Sequence, residues 1–162
     1  MRHAAAVAIV LCALAGCPAP KPAATTPAAS LAPKEVVAAA KGTVEQWRQA
    51  YEVRSFDALA KLYAHEPDVV LVHDGLPLLG WSTIEPVLRE RLTKAKEIHV
   101  RLKDVTVTSL GSTGAAALAT MTREISDGTT TVTENGALTL VLRRGADGWQ
   151  IVQEHYSYKR PS

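Results

Sequence analysis

His155 is the side chain of this sequence whose ordinary chemistry best suits proton transfer or anion binding, because an imidazole titrates near neutral pH. It lies in a C-terminal segment with the alternation of a β-strand, on the same parity as Ile151. If Ile151 faces the core, we expect His155 to face inward as well. The alternative interpretation is a structural histidine that is hydrogen-bonded across the sheet.

Large aromatic side chains are the second group with functional potential, since a Trp or Tyr offers a ligand an apolar wall and one polar atom. The expected ligand-binding residues are Trp47, Tyr51, Tyr63, Trp81 and His155. Trp47 and Tyr51 also fit the buried stripe of a helix, and we favour that interpretation for Trp47. Glu134 is the one carboxylate for which we expect an inward parity, shared with Leu138. One base and one donor do not make a convincing catalytic site, so the catalytic residues stay unassigned.

Several classes of function lack support in the sequence. There is no metal-ligand spacing, nucleophile elbow or phosphate-binding glycine loop, so we expect neither a metal nor a cofactor. The formal net charge is only +2, and no cluster of Lys and Arg forms a stripe. Nucleic acid is therefore not an expected partner.

Three amphipathic segments predict the helices that must position these side chains. Val36, Ala40, Val44, Trp47 and Tyr51 recur at helical spacing. Ser55 is the predicted cap of a short second helix, whose buried face includes Leu59 and Tyr63. Ser82 and Glu85 form the pattern of a capping box, which predicts the start of a third helix.

The remaining segments alternate as strands. A strand is predicted over 69–74, and four long antiparallel strands are predicted over 97–110, 115–125, 130–143 and 149–158. The apolar parity switches at Lys103-Asp104, which predicts a β-bulge. The order of helices and strands predicts an α+β domain in which helices cover one face of a bent sheet.

The N-terminus predicts export and lipidation. Residues 1–16 combine Arg2, an apolar run too short to cross a bilayer as a helix, and small residues at the end. The four residues LAGC ending at Cys17 resemble the lipobox of bacterial lipoproteins. The sequence has only two cysteines, and Cys12 would leave with the signal peptide. We therefore expect a diacylglycerol thioether on Cys17.

The segment after Cys17 predicts a tether. Residues 17–33 contain the acylated cysteine and a Pro- and Ala-rich stretch with almost nothing to bury, so the domain proper spans 34–160. At about 3.1 Å per residue, this flexible tether reaches on the order of 50 Å. Pro18 stands where an Asp would favour inner-membrane retention. By that resemblance, we expect a lipid anchor in the cell envelope, at the outer membrane on its periplasmic side rather than at the inner membrane.

Three stretches carry a resemblance to a known family: WRQAYEVRSFDALAKLYAHEPDVVLV (47–72), LLGWSTIEPVLRERL (78–92) and ALTLVLRRGADGWQIVQEHYS (137–157). They resemble the SnoaL-like group of the nuclear transport factor 2-like superfamily. The resemblance implies a cone in which three N-terminal helices pack on a strongly curved antiparallel sheet, with a pocket at the open end. It also implies homodimers that form through the sheet.

Three functions remain open, because this superfamily includes enzymes, binding proteins and oligomerisation domains. The first is a membrane-anchored domain that binds a small, largely apolar molecule or serves as a dimerisation module, without catalysis. The second is an enzyme of isomerase, cyclase or hydrolase type, with His155 as general acid or base and Tyr51 or Tyr63 polarising an oxygen. The third is a purely structural partner in a larger complex of the cell envelope.

Overall fold

A computed structural model describes residues 30–73 and 75–159. The predicted signal peptide, Cys17 and most of the tether lie outside the described residues. The elements follow one another in the order α1 (Pro33–Glu52), α2 (Phe56–Ala60), β1 (Val70–His73), β2 (Leu76–Leu79), α3 (Trp81–Lys94), β3 (Glu97–Ser109), β4 (Gly114–Ser126), β5 (Thr131–Gly145) and β6 (Gly148–Tyr158). None of the described helices is long and apolar enough to cross a membrane.

The first two helices confirm the predictions from spacing and capping, except that α2 ends at Ala60, so Tyr63 lies beyond it in a bridge to Ile151. The five residues of the predicted stripe of α1 are all buried, because residues three and four apart share one helix face. At the start of α1, the carboxylate of Glu35 accepts a hydrogen bond of 2.8 Å from the backbone N–H of Ala32. At the start of α2, the hydroxyl of Ser55 accepts a hydrogen bond from the backbone N–H of Ala58.

The predicted cap of the third helix is wrong. Helix α3 begins at Trp81, directly after Gly80, and no side chain caps it. Gly80 has φ +80°, a conformation that favours glycine, and its N–H donates to the carbonyl of Val69 at 2.8 Å. The chain therefore leaves the β1–β2 hairpin and turns into the helix on a glycine, which places Ser82 inside the first turn.

The six described strands form one sheet in the order β2-β1-β6-β5-β4-β3. The four long strands pair antiparallel as predicted, and β1 joins them parallel to β6. The bulge predicted at Lys103-Asp104 is confirmed, since the register shifts between Lys103 and Thr106 and Asp104 has φ +54°. The core lies between the helices and one face of the sheet. The predicted α+β fold, with helices packed on a curved sheet, is thereby confirmed.

A second bulge, which was not predicted, lies in β6. Val141 pairs with Gln153, but the next residue of β5, Leu142, pairs with Ile151. Val152 is therefore an extra residue in β6. Because side chains alternate strictly along a strand, one extra residue exchanges the inward and outward faces beyond it.

Candidate functional site

His155 does not face the interior. It lies on β6 opposite Thr139 and beside Val72, and it is exposed on the outer face of the sheet. The prediction that it shares the inward parity of Ile151 is wrong, because the bulge at Val152 intervenes between the two residues. His155 is thus separated by the sheet from the core aromatic residues.

Glu154 takes the inward position that was expected for His155. Its side chain is completely buried, and its Oε2 accepts a hydrogen bond of 2.9 Å from the indole N–H of Trp47. The hydroxyl of Tyr63 donates to the same oxygen. Trp47 belongs to the core, as favoured from the sequence, and its one polar atom holds a carboxylate. Two donors fix Oε2 while the other oxygen, Oε1, has no hydrogen-bond partner.

Tyr51 and Arg91 lie beside this carboxylate. Burial, together with the negative charge of Glu154, raises the pKa of Tyr51 to about 12. Burial also raises the pKa of Tyr63 well above its ordinary value, and Glu154 adds to that effect. For Arg91, burial opposes the charged form, but attraction by Tyr51 and Glu154 outweighs it and the pKa rises. Tyr51 and Arg91 lie close enough for a weak hydrogen bond to each other, but neither Tyr51 Oη nor Arg91 Nη1 has a partner in good hydrogen-bond geometry.

Arg123 extends the polar interior along β4. It is completely buried, and its Nε and Nη2 donate to Glu134 Oε2 at 2.8 and 2.6 Å. Glu134 faces inward, as its parity predicts, and only 12% of its side chain is exposed. Nη2 of Arg123 also lies 2.7 Å from Nε2 of His73. Because a guanidinium can only donate, His73 accepts at Nε2 and is neutral in this arrangement.

Tyr156 closes the polar interior on the side of β6. The guanidinium carbon of Arg123 lies 4.7 Å from the centre of the Tyr156 ring and 5.8 Å from that of Tyr51, as in cation–π contacts. Burial raises the pKa of Tyr156 to about 12, with the charge of Glu134 adding to the rise and Arg123 opposing it. The rings of the partly exposed residues His73 and Tyr158 pack against it.

Five buried side-chain atoms in the described residues have no hydrogen-bond partner. We call the residues that carry them the polar cluster: Tyr51, Arg91, Arg123, Glu154 and Tyr156. Contacts and electrostatic interactions connect its members one to the next, with Tyr51 between the two guanidinium groups. Buried polar atoms are hydrogen-bonded in the great majority of cases. Such a concentration therefore marks a place where the protein alone does not complete its hydrogen bonds.

Trp81 lies outside the polar cluster. It is partly buried at the first position of α3, and its ring stacks on His65 with ring centres 4.3 Å apart and planes 10° apart. Its ring also lies 5.7 Å from that of Tyr63. Of the five residues expected to bind a ligand, Tyr51 is in the cluster, and Trp47 and Tyr63 anchor it through Glu154. Trp81 packs behind Tyr63, and His155 is on the opposite face of the sheet.

Sequence reasoning missed Arg91, Arg123 and Glu154. A signal for Arg123 exists, because it shares the parity of the core residues Met121 and Ala119, and a charged residue at a core position needs a reason. Arg91 follows Leu88 by three residues on the buried stripe of α3. Within residues 30–73 and 75–159, no group of three His, Cys, Asp or Glu side chains could hold a metal ion.

Solved structures with this fold carry names of different functions. A candidate dehydratase of the nuclear transport factor 2-like family from Streptomyces avermitilis is 23% identical, with a TM-score of 0.72 over 79% of this chain and 99% of that one. A candidate aromatic ring hydroxylase from Novosphingobium aromaticivorans is 22% identical, with a TM-score of 0.70 over 81% and 94%. A candidate calcium/calmodulin-dependent protein kinase II association domain from Thiobacillus denitrificans is 23% identical, with a TM-score of 0.61 over 74% and 94%. At these identities the likeness establishes the fold alone.

The sequence comparison agrees with the fold. A search among curated proteins finds no significant match. The profile of the SnoaL-like domain family matches residues 41–161, which is most of the chain and includes every residue of the polar cluster. The chain therefore belongs to the SnoaL-like domain family, within the nuclear transport factor 2-like fold.

Proposed function

We propose that this domain binds a small molecule in the interior of the cone, on the polar cluster. The observation that carries the proposal is the set of five buried polar atoms without a hydrogen-bond partner. The sequence suggested a largely apolar ligand. The two guanidinium groups and the free carboxylate oxygen favour a ligand with hydrogen-bonding groups instead.

The energetic argument rests on the cost of unsatisfied groups. A buried donor or acceptor without a partner costs about 1–3 kcal/mol, and more when it is charged. Three of the five atoms belong to Arg91, Arg123 and Glu154. A molecule that pairs with them recovers much of this cost on binding, whereas an apolar core of the same shape would never incur it. The arrangement is thus easier to explain as a binding site than as a device for stability.

Native mass spectrometry of the domain, purified from cells without denaturation, tests this proposal. We expect a bound small molecule that is released on unfolding. Arg123→Met and Tyr156→Phe should lose it, since each removes an unpartnered atom while keeping much of the side-chain shape. Glu97→Gln is the matched control, because Glu97 is 71% exposed on β3. A wild-type spectrum that shows no bound molecule and that matches the spectra of the variants would refute the proposal.

An enzyme is the second candidate, and the geometry of Glu154 favours it. Its carboxylate is held through Oε2 and keeps Oε1 free beside Tyr51 and Arg91. That arrangement suits a general base whose neighbours polarise an oxygen of the substrate. Incubating the domain with the recovered molecule in heavy water tests this function. Deuterium at a carbon position in the wild type, and none with Glu154→Gln, would support it; equal incorporation by both proteins would exclude Glu154 as the base.

We further propose that the domain forms homodimers through the outer face of the sheet. Leu118, Thr139 and His155 lie side by side on three adjacent strands, and Leu118 is 54% exposed. Outward residues around them are small or uncharged: Ala116, Thr120, Ala137, Val141 and Ser157. Light scattering after size-exclusion chromatography tests this face. Leu118→Arg should yield monomers, and Val53→Arg, at an exposed position at the C-terminal end of α1, should not. Dimers that survive Leu118→Arg would mean that the interface lies elsewhere.

The lipid anchor remains a proposal that rests on the sequence of residues 1–33. We propose that an acylated Cys17 holds the domain at the membrane of the cell envelope, with the Pro-rich segment as a spacer. Intact mass and membrane fractionation test it. Cys17→Ser should remove the acyl mass and release the protein, whereas Cys12→Ser should change neither. Membrane retention of the Cys17→Ser protein would contradict the proposal.

A further inference from the structure

We infer that the molecule bound by the polar cluster carries no net charge and has both an oxygen acceptor and an N–H or O–H donor. This inference rests on the proposed binding function and specifies its ligand. It follows from the kinds of atom that the cluster leaves without partners, and from the sum of the charges around them.

The unpartnered atoms include both donors and an acceptor. Nη1 of Arg91 and Nη1 of Arg123 can only donate, whereas Oε1 of the Glu154 carboxylate can only accept. The hydroxyls of Tyr51 and Tyr156 can do either. A complementary ligand must therefore accept hydrogen bonds from the guanidinium groups and donate one to the carboxylate.

Among the residues that the structure describes, the buried charges around these atoms are balanced before a ligand arrives. Arg91 and Arg123 contribute two positive charges, and Glu134 and Glu154 contribute two negative ones. His73 is neutral while it accepts from Arg123. A buried charge is costly unless it is paired, so a ligand with a net charge would leave one charge uncompensated in this interior.

Ligands of simpler chemistry fit worse. A plain carboxylate could pair with the guanidinium groups, but it would leave Oε1 of Glu154 unpaired and face it with a like charge. A plain amine could pair with Glu154, but both guanidinium nitrogens would stay without an acceptor. A small zwitterion, or a neutral molecule with a carbonyl and a hydroxyl, satisfies both ends. Tyr51 lies beside Glu154 and both guanidinium groups, so its hydroxyl can hydrogen-bond to the acceptor or to the donor of such a ligand.

A matched series of small molecules tests the inference on the full domain. The probes are unbranched ω-amino acids of three to six carbons, the carboxylate and the amine of each length, and the corresponding hydroxy amides. Ligand-observed NMR and calorimetric titration measure their binding. We expect the zwitterion or the hydroxy amide of one length to bind about tenfold or more tighter than the carboxylate and the amine of that length.

Glu154→Gln supplies a readout that a merely structural role would not change. The substitution removes one negative charge and adds a donor in nearly the same shape. It should therefore reduce the preference for the zwitterion over the carboxylate about tenfold, while Glu97→Gln leaves the preference unchanged. If Glu154→Gln does not fold, the wild-type series decides alone.

Each outcome has a defined meaning. A carboxylate or an amine that binds as tightly as its zwitterion and hydroxy amide overturns the inference and leaves the proposed binding function intact. If no probe binds, the molecule recovered from cells decides: zero net charge with both kinds of group supports the inference, and any other composition overturns it. If no probe binds and no molecule is recovered, the inference and the proposed function fail together.

Discussion

Glu154 and His155 are neighbours in β6 and stand on opposite faces of the sheet. Glu154 is buried and held by Trp47 and Tyr63, whereas His155 is exposed beside Thr139. The interior chemistry of this domain thus depends on a carboxylate, and the more conspicuous histidine serves the outer surface.

Removing the carboxylate should destabilise the fold more than removing the histidine. Glu154→Ala deprives Tyr63 and Trp47 of their acceptor, and we expect a loss of about 3 kcal/mol in the free energy of unfolding. Glu154→Gln keeps an acceptor oxygen and should cost about 1 kcal/mol. His155→Ala should stay within about 0.5 kcal/mol of the wild type, since its side chain is exposed. Urea unfolding measures all three, and a larger loss for His155→Ala than for Glu154→Ala would contradict this assignment.

Alkaline pH should unfold the domain through its tyrosines. The pKa of Tyr51 and that of Tyr156 are raised from 10 to about 12 in the folded protein. Between these pH values the unfolded chain releases the proton and the folded protein keeps it. The contribution of these tyrosines to the free energy of unfolding is therefore fully present below pH 10. It falls as the pH rises towards 12, by about 1.4 kcal/mol per pH unit for each such tyrosine.

Unfolding measured at a series of pH values checks this slope, and ultraviolet absorbance of the phenolates reports their ionisation. Tyr51→Phe should reduce the slope of this decline by the contribution of one tyrosine, which is about 1.4 kcal/mol per pH unit. A decline that is equally steep in Tyr51→Phe would show that this hydroxyl is not protected in the folded state.

Arg123 and Glu134 should behave as a coupled pair. Glu134→Gln leaves a buried guanidinium without its counter-charge, and we expect a loss of about 3 kcal/mol. In the double variant, Arg123→Met also removes the guanidinium, so no buried charge is left unpaired. The double variant should therefore lose clearly less free energy of unfolding than the sum of the two single losses. A double-mutant cycle by urea unfolding measures the difference. Additive losses would mean that the ion pair makes no net contribution.

Gly136 should not tolerate a side chain. A Cβ added there would lie 1.8 Å from the carbonyl oxygen of Ser157 and 2.5 Å from the Cα of Tyr158. Gly136→Ala must therefore push β6 away from β5, and we expect a loss of about 3 kcal/mol or more, or failure to fold. Gly42→Ala is the control, because a Cβ there meets nothing within 4 Å and α1 should gain about 1 kcal/mol. Equal effects of the two substitutions would contradict the close approach.

The layers of the fold could be predicted from the sequence because they depend on local regularities. The stripe on α1, the Ser55 cap and the parity switch at Asp104 each have a periodic or chemical signature. The site could be predicted only in part. Tyr51 was identified because aromatic residues are conspicuous, and Arg123 could have been identified from its parity.

The orientation of β6 could not be predicted, because the bulge at Val152 depends on pairing with β5 and not on the residues of the strand itself. The large apolar side chains change parity between Ile151 and Tyr156, but a Tyr fits either face of a sheet, so this signal is weaker than the one at Asp104. A bulge of this kind is decided by the fit between the two strands of the β5–β6 hairpin and not by either strand alone. The start of α3 differs from the prediction for a related reason, since Gly80 is fixed by its hydrogen bond to the carbonyl of Val69, just before β1.

The bulge at Val152 also affects how such a domain can change over evolution. If β6 paired regularly with β5 and kept Val152 in the strand, His155 and Ser157 would replace Glu154 and Tyr156 in the interior without a single substitution, whereas deleting Val152 would keep Glu154 and Tyr156 there. The two faces of β6 thus hold two sets of side chains, of which the bulge selects one for the interior. A change of register in one strand thus offers relatives of this domain a route to a new interior chemistry, which an alignment scored residue by residue would not register at all.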